Sequence, residues 1–336
     1  MTQNAAPSVF KNILVVCTQT GSDAVTLRRA GTLAESPGAR LTVVAVAQPL
    51  GVLGEAARFS SLTREDIERA MIKEIRDGVT ALVADTLPNL SPAIEIRIGK
   101  PFVEIIRYVL ANGCDLVIKS AEDLDGSGRR LFASADQHLM RKCPCPVWLQ
   151  RSVKDDAKDN DEDNERKGDG RALVLAAVDV DPFAKDHQEA WASLNLRILE
   201  TAVAVAAFEK TELRIVHAWE APAEDMIRRW AGPAAEVSNY VNAVETQSRK
   251  ALDALLRKGA PSVAAAPQLL RGAARRVIAP YAARIGASCL VMGTIGRTGA
   301  PGVIIGNTAE DILNSVECSV VAIKPPGYVS PVTLEP

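Results

Sequence analysis

The chain is written twice. Each half of its 336 residues opens on a short apolar run, Ile13 to Cys17 (ILVVC) in the first and Ala172 to Val178 (ALVLAAV) in the second. A segment of helical period follows each, and then a second apolar run, Leu41 to Ala47 (LTVVAVA) against Leu213 to Trp219 (LRIVHAW). A third run ends at Ile98-Gly99 or Arg271-Gly272. A fourth is Asp115 to Lys119 against Cys289 to Gly293, and a fifth Pro146 to Leu149 against Ser319 to Ala322. Equivalent positions are offset by 161, 172, 173, 174 and 173 residues. One insertion, about three helical turns long, between the first two runs of the second half accounts for the change.

Strands that alternate with helical segments require βαβ crossovers, hence a parallel sheet covered by helices on both faces, here formed twice. The composition agrees: 47% of residues are apolar and only 4% aromatic, so the cores are filled by Ala, Val, Leu and Ile. Between the halves, Arg151 to Gly170 carries eight acidic and five basic residues and only two apolar ones, which predicts a solvated linker. The expected organisation is therefore a first domain over 1–150, a linker over 151–170 and a second domain over 171–336. The formal net charge of −2 gives no general attraction to nucleic acid or to an anionic membrane. No charged start precedes an apolar stretch at the N-terminus, and no run approaches the roughly 18 apolar residues of a membrane span, so a cytoplasmic protein is expected. Six cysteines, mostly within or beside apolar runs, read as free thiols.

In a doubly wound sheet, ligands bind outside the carboxyl ends of the strands where the strand order reverses. The residues to examine are Thr18 and Lys119 in the first half, Asp179 and Gly293 in the second. After Gly293 comes GTIGRTGAPGVIIGNTAE, with Gly293, Gly296 and Gly306 spaced G-x2-G-x9-G ahead of Asn307 and Thr308. Glycines at Gly293 and Gly296 permit positive φ and a close approach of backbone to an anion, and Gly306-Asn307-Thr308 opens a helix whose first N–H groups suit a phosphate. The other reading of Asn307 to Glu310 is a capping-box variant. Asp179 is an adenine or ribose acceptor, or else a cap for the next segment. Arg297 pairs with a phosphate, or else is solvated.

These residues resemble the universal stress protein family. VMGTIGRTG followed by GNTAEDIL is similar to that family's nucleotide signature, and Ala177-Val178-Asp179 to its first-strand end. The tandem layout, with HLMRKCPCPVW in the first half, resembles its two-domain members. The resemblance implies two Rossmann-like domains, each a five-stranded parallel sheet in the order 3-2-1-4-5. It implies ATP as the ligand, with or without Mg²⁺. Asp179 and Ala218 would lie around the adenine, Met292, Gly293 and Gly296 around ribose and phosphates, and Gly306, Asn307 and Thr308 on the phosphates. Asn307 departs from the serine or threonine usual in ATP-binding members, although its amide also donates a hydrogen bond. The implied role is non-enzymatic stress response, with the first domain as a built-in partner of the second, and with a homodimer or another protein as further partners.

The first half lacks these features. Ala133 and Ser134 stand where Gly306 and Asn307 stand, Thr18 replaces Asp179, and, after a slip of one residue, Lys119 replaces Gly293. Ser134 to Gln137 still reads as a capping box, so a helix start without a phosphate loop is expected. There is no G-x4-G-K-[ST] run, and no G-x-G-x-x-G follows either first strand. His138, His187 and His217 lie in different elements, and Cys143-Pro144-Cys145 has no further ligands beside it. No residue reads as a general base beside the phosphates. The rival expectations are a scaffold or binder of another ligand, and a slow ATP hydrolase that relies on Mg²⁺.

Overall fold

The computed structural model describes residues 10–18, 23–51, 63–122, 132–151, 173–180, 188–230, 234–260, 267–295 and 306–334. The chain forms two compact units, one of Met1–Asp155 with Val329–Pro336, the other of Asp156–Tyr328. The last eight residues correct the boundary expected from the sequence: they group with the first unit, where Arg107 Nε donates to the carbonyl of Thr333 at 3.2 Å.

In the first unit the elements run β1 (Asn12–Cys17), α1 (Asp23–Ala34), β2 (Arg40–Ala47), α2 (Arg64–Thr86), β3 (Ala93–Ile98), α3 (Pro101–Asn112), β4 (Leu116–Ser120), α4 (Ser134–Lys142) and β5 (Val147–Gln150). In the second they run β6 (Leu173–Ala177), α5 (Gln188–Glu209), β7 (Glu212–Trp219), α6 (Glu224–Trp230), α7 (Ala234–Gly259), β8 (Gln268–Arg271), α8 (Ala274–Arg284), β9 (Cys289–Gly293), α9 (Asn307–Leu313) and β10 (Ser319–Ile323). Strand pairing is parallel throughout each unit. The orders are β3-β2-β1-β4-β5 and β8-β7-β6-β9-β10, the expected 3-2-1-4-5 in both.

The central strands are buried on both faces, which explains why they read as unbroken apolar runs and not as alternating ones. Local signals start and stop several helices. Thr63 and Asp66 form a reciprocal capping box at the start of α2, and Pro101 occupies the first turn of α3, where its missing N–H costs nothing. The predicted insertion is α5, at 22 residues against 12 for α1.

Among the described residues, one helix, α5, passes a length-and-composition test for a membrane span. Its stretch Trp191–Glu209 has a mean hydropathy of 1.2 over 19 residues, long and apolar enough by itself to cross a membrane. It does so while carrying Asn195, Arg197 and Glu200, which is why no unbroken run announced it. In the fold its apolar side is a core layer: Leu194, Ile198, Leu199, Ala202, Val205 and Ala206 are buried.

The repeat extends to single hydrogen bonds. Gly99 N–H donates to the carbonyl of Ala47 at 3.0 Å, and Gly272 N–H to that of Trp219 at 2.8 Å. Both glycines have positive φ, 153° and 128°. A Cβ on Gly99 would lie 2.8 Å from Cγ of Glu104, and one on Gly272 would lie 2.9 Å from Cγ1 of Val277. Gly272→Ala therefore meets both a dihedral penalty and a steric one, and is expected to destabilise the chain by about 1–3 kcal/mol. Adding Val277→Ala should relieve the steric part alone. Urea unfolding of the full chain measures both, and a Gly272→Ala variant as stable as the unaltered chain would refute the account.

Candidate functional site

Strand register brings the carboxyl ends of β6, β7 and β9 into line. Ala177 lies opposite both Val216 on β7 and Met292 on β9, so Asp179, Ala218 and Gly293 leave the sheet side by side. Asp179 is half-buried, and its main chain is clamped from α5. The N–H of Asp179 donates to Asn195 Oδ1 at 3.0 Å, and Asn195 Nδ2 donates to the carbonyl of Asp179 at 2.7 Å. Asn195 is buried, and sequence reasoning missed it; an amide inside the apolar stretch SLNLRIL was the available signal. His217 is buried with Nδ1 3.3 Å from the carbonyl of Val178, a histidine of the core.

Gly293 ends β9 in strand conformation, which corrects the expectation of positive φ there. Its missing side chain admits α5: a Cβ would lie 3.0 Å from Cδ2 of Leu194 and 3.4 Å from Cδ1 of Ile198. Gly306 caps α9 with φ −61° and no side-chain hydrogen bond, so the capping-box reading of Asn307 is not realised. Asn307 and Thr308 are exposed at the helix start. The next residue after Gly293 ties the ends of the glycine-rich segment together. Thr294 is fully buried, its N–H donates to the carbonyl of Ile323 at 3.1 Å, and its own carbonyl accepts the Gly306 N–H at 3.1 Å. Gly296 and Arg297 lie outside the described residues, as does His187.

This edge brings together an acceptor on a fixed main chain, a small residue on each flanking strand, and a helix start bearing an amide and a hydroxyl. Among the described residues no three His, Cys, Asp or Glu side chains converge to hold a metal ion.

In the first half the same edge is filled by the protein. Ile13 pairs with Leu116 where Val174 pairs with Cys289, so the offset of β4 is 173 like that of its neighbours. The one-residue slip expected from the sequence is corrected: Lys119 corresponds to Met292, and Ser120 to Gly293. Because side chains alternate, this parity decides which layer each residue meets. Ser120 Oγ lies 2.6 Å from Thr26 Oγ1 and 3.3 Å from Asp23 Oδ1, both on α1. Asp23 also accepts from the N–H of Thr18 at 2.8 Å.

Lys119, 3% exposed, points the other way. Its Nζ lies 2.6 Å from Glu122 Oε1 and 2.9 Å from Asp136 Oδ1; the second contact is an ion pair with poor hydrogen-bond alignment. Asp136 is wholly buried, and its Oδ2 accepts the Glu122 N–H at 2.8 Å. Burial pushes its carboxyl above the usual range while Lys119 pulls it back. The helix cap is Ala133, without a side-chain bond, and the Gln137 amide donates to the carbonyl of Phe132 at 3.1 Å, so the capping box expected at Ser134 to Gln137 is not formed.

Two further expectations resolve outside the edge. Arg151, assigned to the linker, is buried and stacks over Phe132 at 4.2 Å; the remainder of the linker lies outside the described residues. None of the six cysteines is in a disulfide, and the Cys143 and Cys145 sulfurs stand 3.5 Å apart. Burial pushes the Cys114 thiol up to about 11, and contact with Cys143 followed by burial raises that of Cys145, so both stay protonated at neutral pH.

A sequence profile described as the Universal stress protein family matches residues 10–151 and 193–324. Universal stress protein E of Escherichia coli K12 is 29% identical over 335 residues, covering 98% of each chain. A Universal stress protein E homolog of Haemophilus influenzae is 27% identical over 325 residues, 94% of this chain and 98% of that one. Among solved structures, a functionally unknown protein of Pseudomonas aeruginosa PAO1 superposes with a TM-score of 0.65 at 21% identity, over 95% of this chain and 94% of that one. A universal stress protein of Archaeoglobus fulgidus gives 0.57 at 18% identity, over 93% and 98%.

The buried charges of the first half carry a stability prediction. Lys119→Met strands the Asp136 carboxylate without its cation and should cost about 3–5 kcal/mol. The triple replacement Lys119→Met, Glu122→Ile, Asp136→Ala installs the second half's residues and should cost far less. Urea unfolding compares them, and a single variant no less stable than the triple would contradict the pairing.

Proposed function

The chain belongs to the universal stress protein family, and on that premise we propose that its second half binds ATP as the ligand of a non-enzymatic, cytoplasmic stress-response protein. The observation that carries this reading is the alignment of Asp179, Ala218 and Gly293 at the carboxyl ends of β6, β7 and β9, with the helix start at Gly306 tied to Thr294, the residue after Gly293, by a main-chain hydrogen bond. Asp179 and Ala218 receive the adenine and ribose. Met292, Gly293 and Gly296 flank the ribose and phosphates, while Gly306, Asn307, Thr308 and Arg297 meet the phosphates. The triphosphate brings a concentrated negative charge, which main-chain N–H groups and a cation suit.

Hydrolysis is not part of the proposal. His217 is buried in contact with the Val178 carbonyl, and Asp179 is assigned to the base and sugar, so neither is offered as a base for an attacking water. Bound ATP would act by ordering the edge of the second sheet, a state that a second copy or another protein reads. The first half, its own edge filled by Lys119, Glu122, Asp136 and Ser120, serves as a permanent partner without nucleotide. Asn307, in place of serine or threonine, is the observation that favours the rival reading of a scaffold or a different ligand.

Calorimetric titration of the full chain with ATP, GTP and AMP, followed by a phosphate-release assay on the same sample, separates these readings. ATP is expected to bind more tightly than GTP or AMP, with negligible phosphate release. Asp179→Ala is expected to weaken ATP by about tenfold, the worth of one good hydrogen bond, while Thr18→Ala leaves affinity unchanged. Absence of ATP binding by the unaltered chain favours the scaffold reading, and steady phosphate release favours the hydrolase.

A further inference from the structure

The internal repeat supplies its own control for the charge at this edge. Four positions in the first half, Lys119, Glu122, Asp136 and Arg151, correspond through the offset of 173 to Met292, Ile295, Ala309 and Lys324 in the second. The first set holds two cations and two carboxylates and sums to zero. The second has lost both carboxylates and one cation together, leaving a single positive charge.

That charge is placed at the root of the candidate site. Lys324 follows β10 directly and is 2% exposed. Its Nζ donates to the hydroxyl of Thr294, the buried residue whose main chain links Ile323 to Gly306. The ammonium also lies 5.3 Å from the ring centroid of Tyr328, and Arg197 Nη1 donates to the Lys324 carbonyl at 3.1 Å. The Lys324 ammonium is thus one residue from Gly293 through Thr294 and one hydrogen bond further from Gly306. A buried charge acts over such distances with little screening.

We propose that Lys324 is a positioning residue that makes the second-half site select a nucleoside polyphosphate over an uncharged nucleoside: it fixes Thr294 between Gly293 and Gly306, and its charge offsets that of the phosphates. The inference rests on the ATP-binding reading above and adds to it the residue that sets ligand charge.

The test uses the full chain and two probes, ATP and adenosine, titrated by calorimetry at low and moderate salt. Lys324→Met is expected to weaken ATP by about tenfold or more and adenosine by less than about twofold. It should also flatten the salt dependence of ATP binding. Lys324→Arg should restore ATP affinity to within about threefold of the unaltered chain, since the charge returns. Thr294→Val removes the hydroxyl that receives the lysine at nearly constant volume, and should weaken ATP several-fold while sparing adenosine. It carries the test if Lys324→Met does not fold.

An unchanged ratio of ATP to adenosine affinity in the folded variants overturns the inference and leaves the ATP-binding reading standing, as does equal weakening of both ligands, which marks a merely structural lysine. An unaltered chain that binds neither probe overturns both.

Discussion

A strand buried on both faces has no latitude in register, because moving it by one residue exchanges everything it shows to the helix layers on either side. The pairing of Ile13 with Leu116 and of Val174 with Cys289 is therefore the constraint on which both functional edges depend. With that parity, Ser120 turns toward α1 and finds Thr26 and Asp23, while Lys119 turns toward α4 and finds Asp136. In the second half the same parity gives Gly293 to α5, where Leu194 takes the space that the Ser120 side chain occupies in its own unit. The other parity would drive a lysine into the α1 layer and leave Asp136 buried without a cation.

The repeated strands, the parallel order and the extra turns of α5 could all be read from apolar runs and their spacing, since burial on both faces writes itself into consecutive residues. The end of β4 could not. A lysine closes an apolar run on paper, so the strand seemed to stop at Lys119; in the fold Glu122 and Asp136 neutralise it, and the strand continues to Ser120. Arg151 was lost to the linker for the same reason. A cation that stacks on Phe132 looks, in one dimension, like the first residue of a charged tail. The helix starts at Ser134 and Asn307 carried capping residue types, but the cap positions fall one residue earlier, at Ala133 and Gly306, and the Gln137 amide goes to the Phe132 carbonyl. Pattern reading sees which residues are able to bond and not which competing partner is nearer.

Asn195 and Lys324 went unread for a different reason. Each is a polar residue beside or within an apolar segment, and its meaning lies in a contact across the fold: Asn195 with the main chain of Asp179, and Lys324 with the hydroxyl of Thr294. Both act on residues the sequence did single out, or on their immediate neighbours. The signature names groups at the strand ends and the helix start, and the fold supplies the groups that hold them.

The two halves differ at this edge in the charges they bury on a common scaffold. Burying Lys119 with Asp136 is tolerable only because the charges come as a set, so any one of them alone is costly and the set changes as a block. The second half carries the changed block, Met292, Ile295 and Ala309, and keeps only the cation at the position of Arg151. At these positions the negative charge is part of the chain in the first half and is missing from it in the second. On the proposed reading, an anionic ligand would bring that charge to the second half.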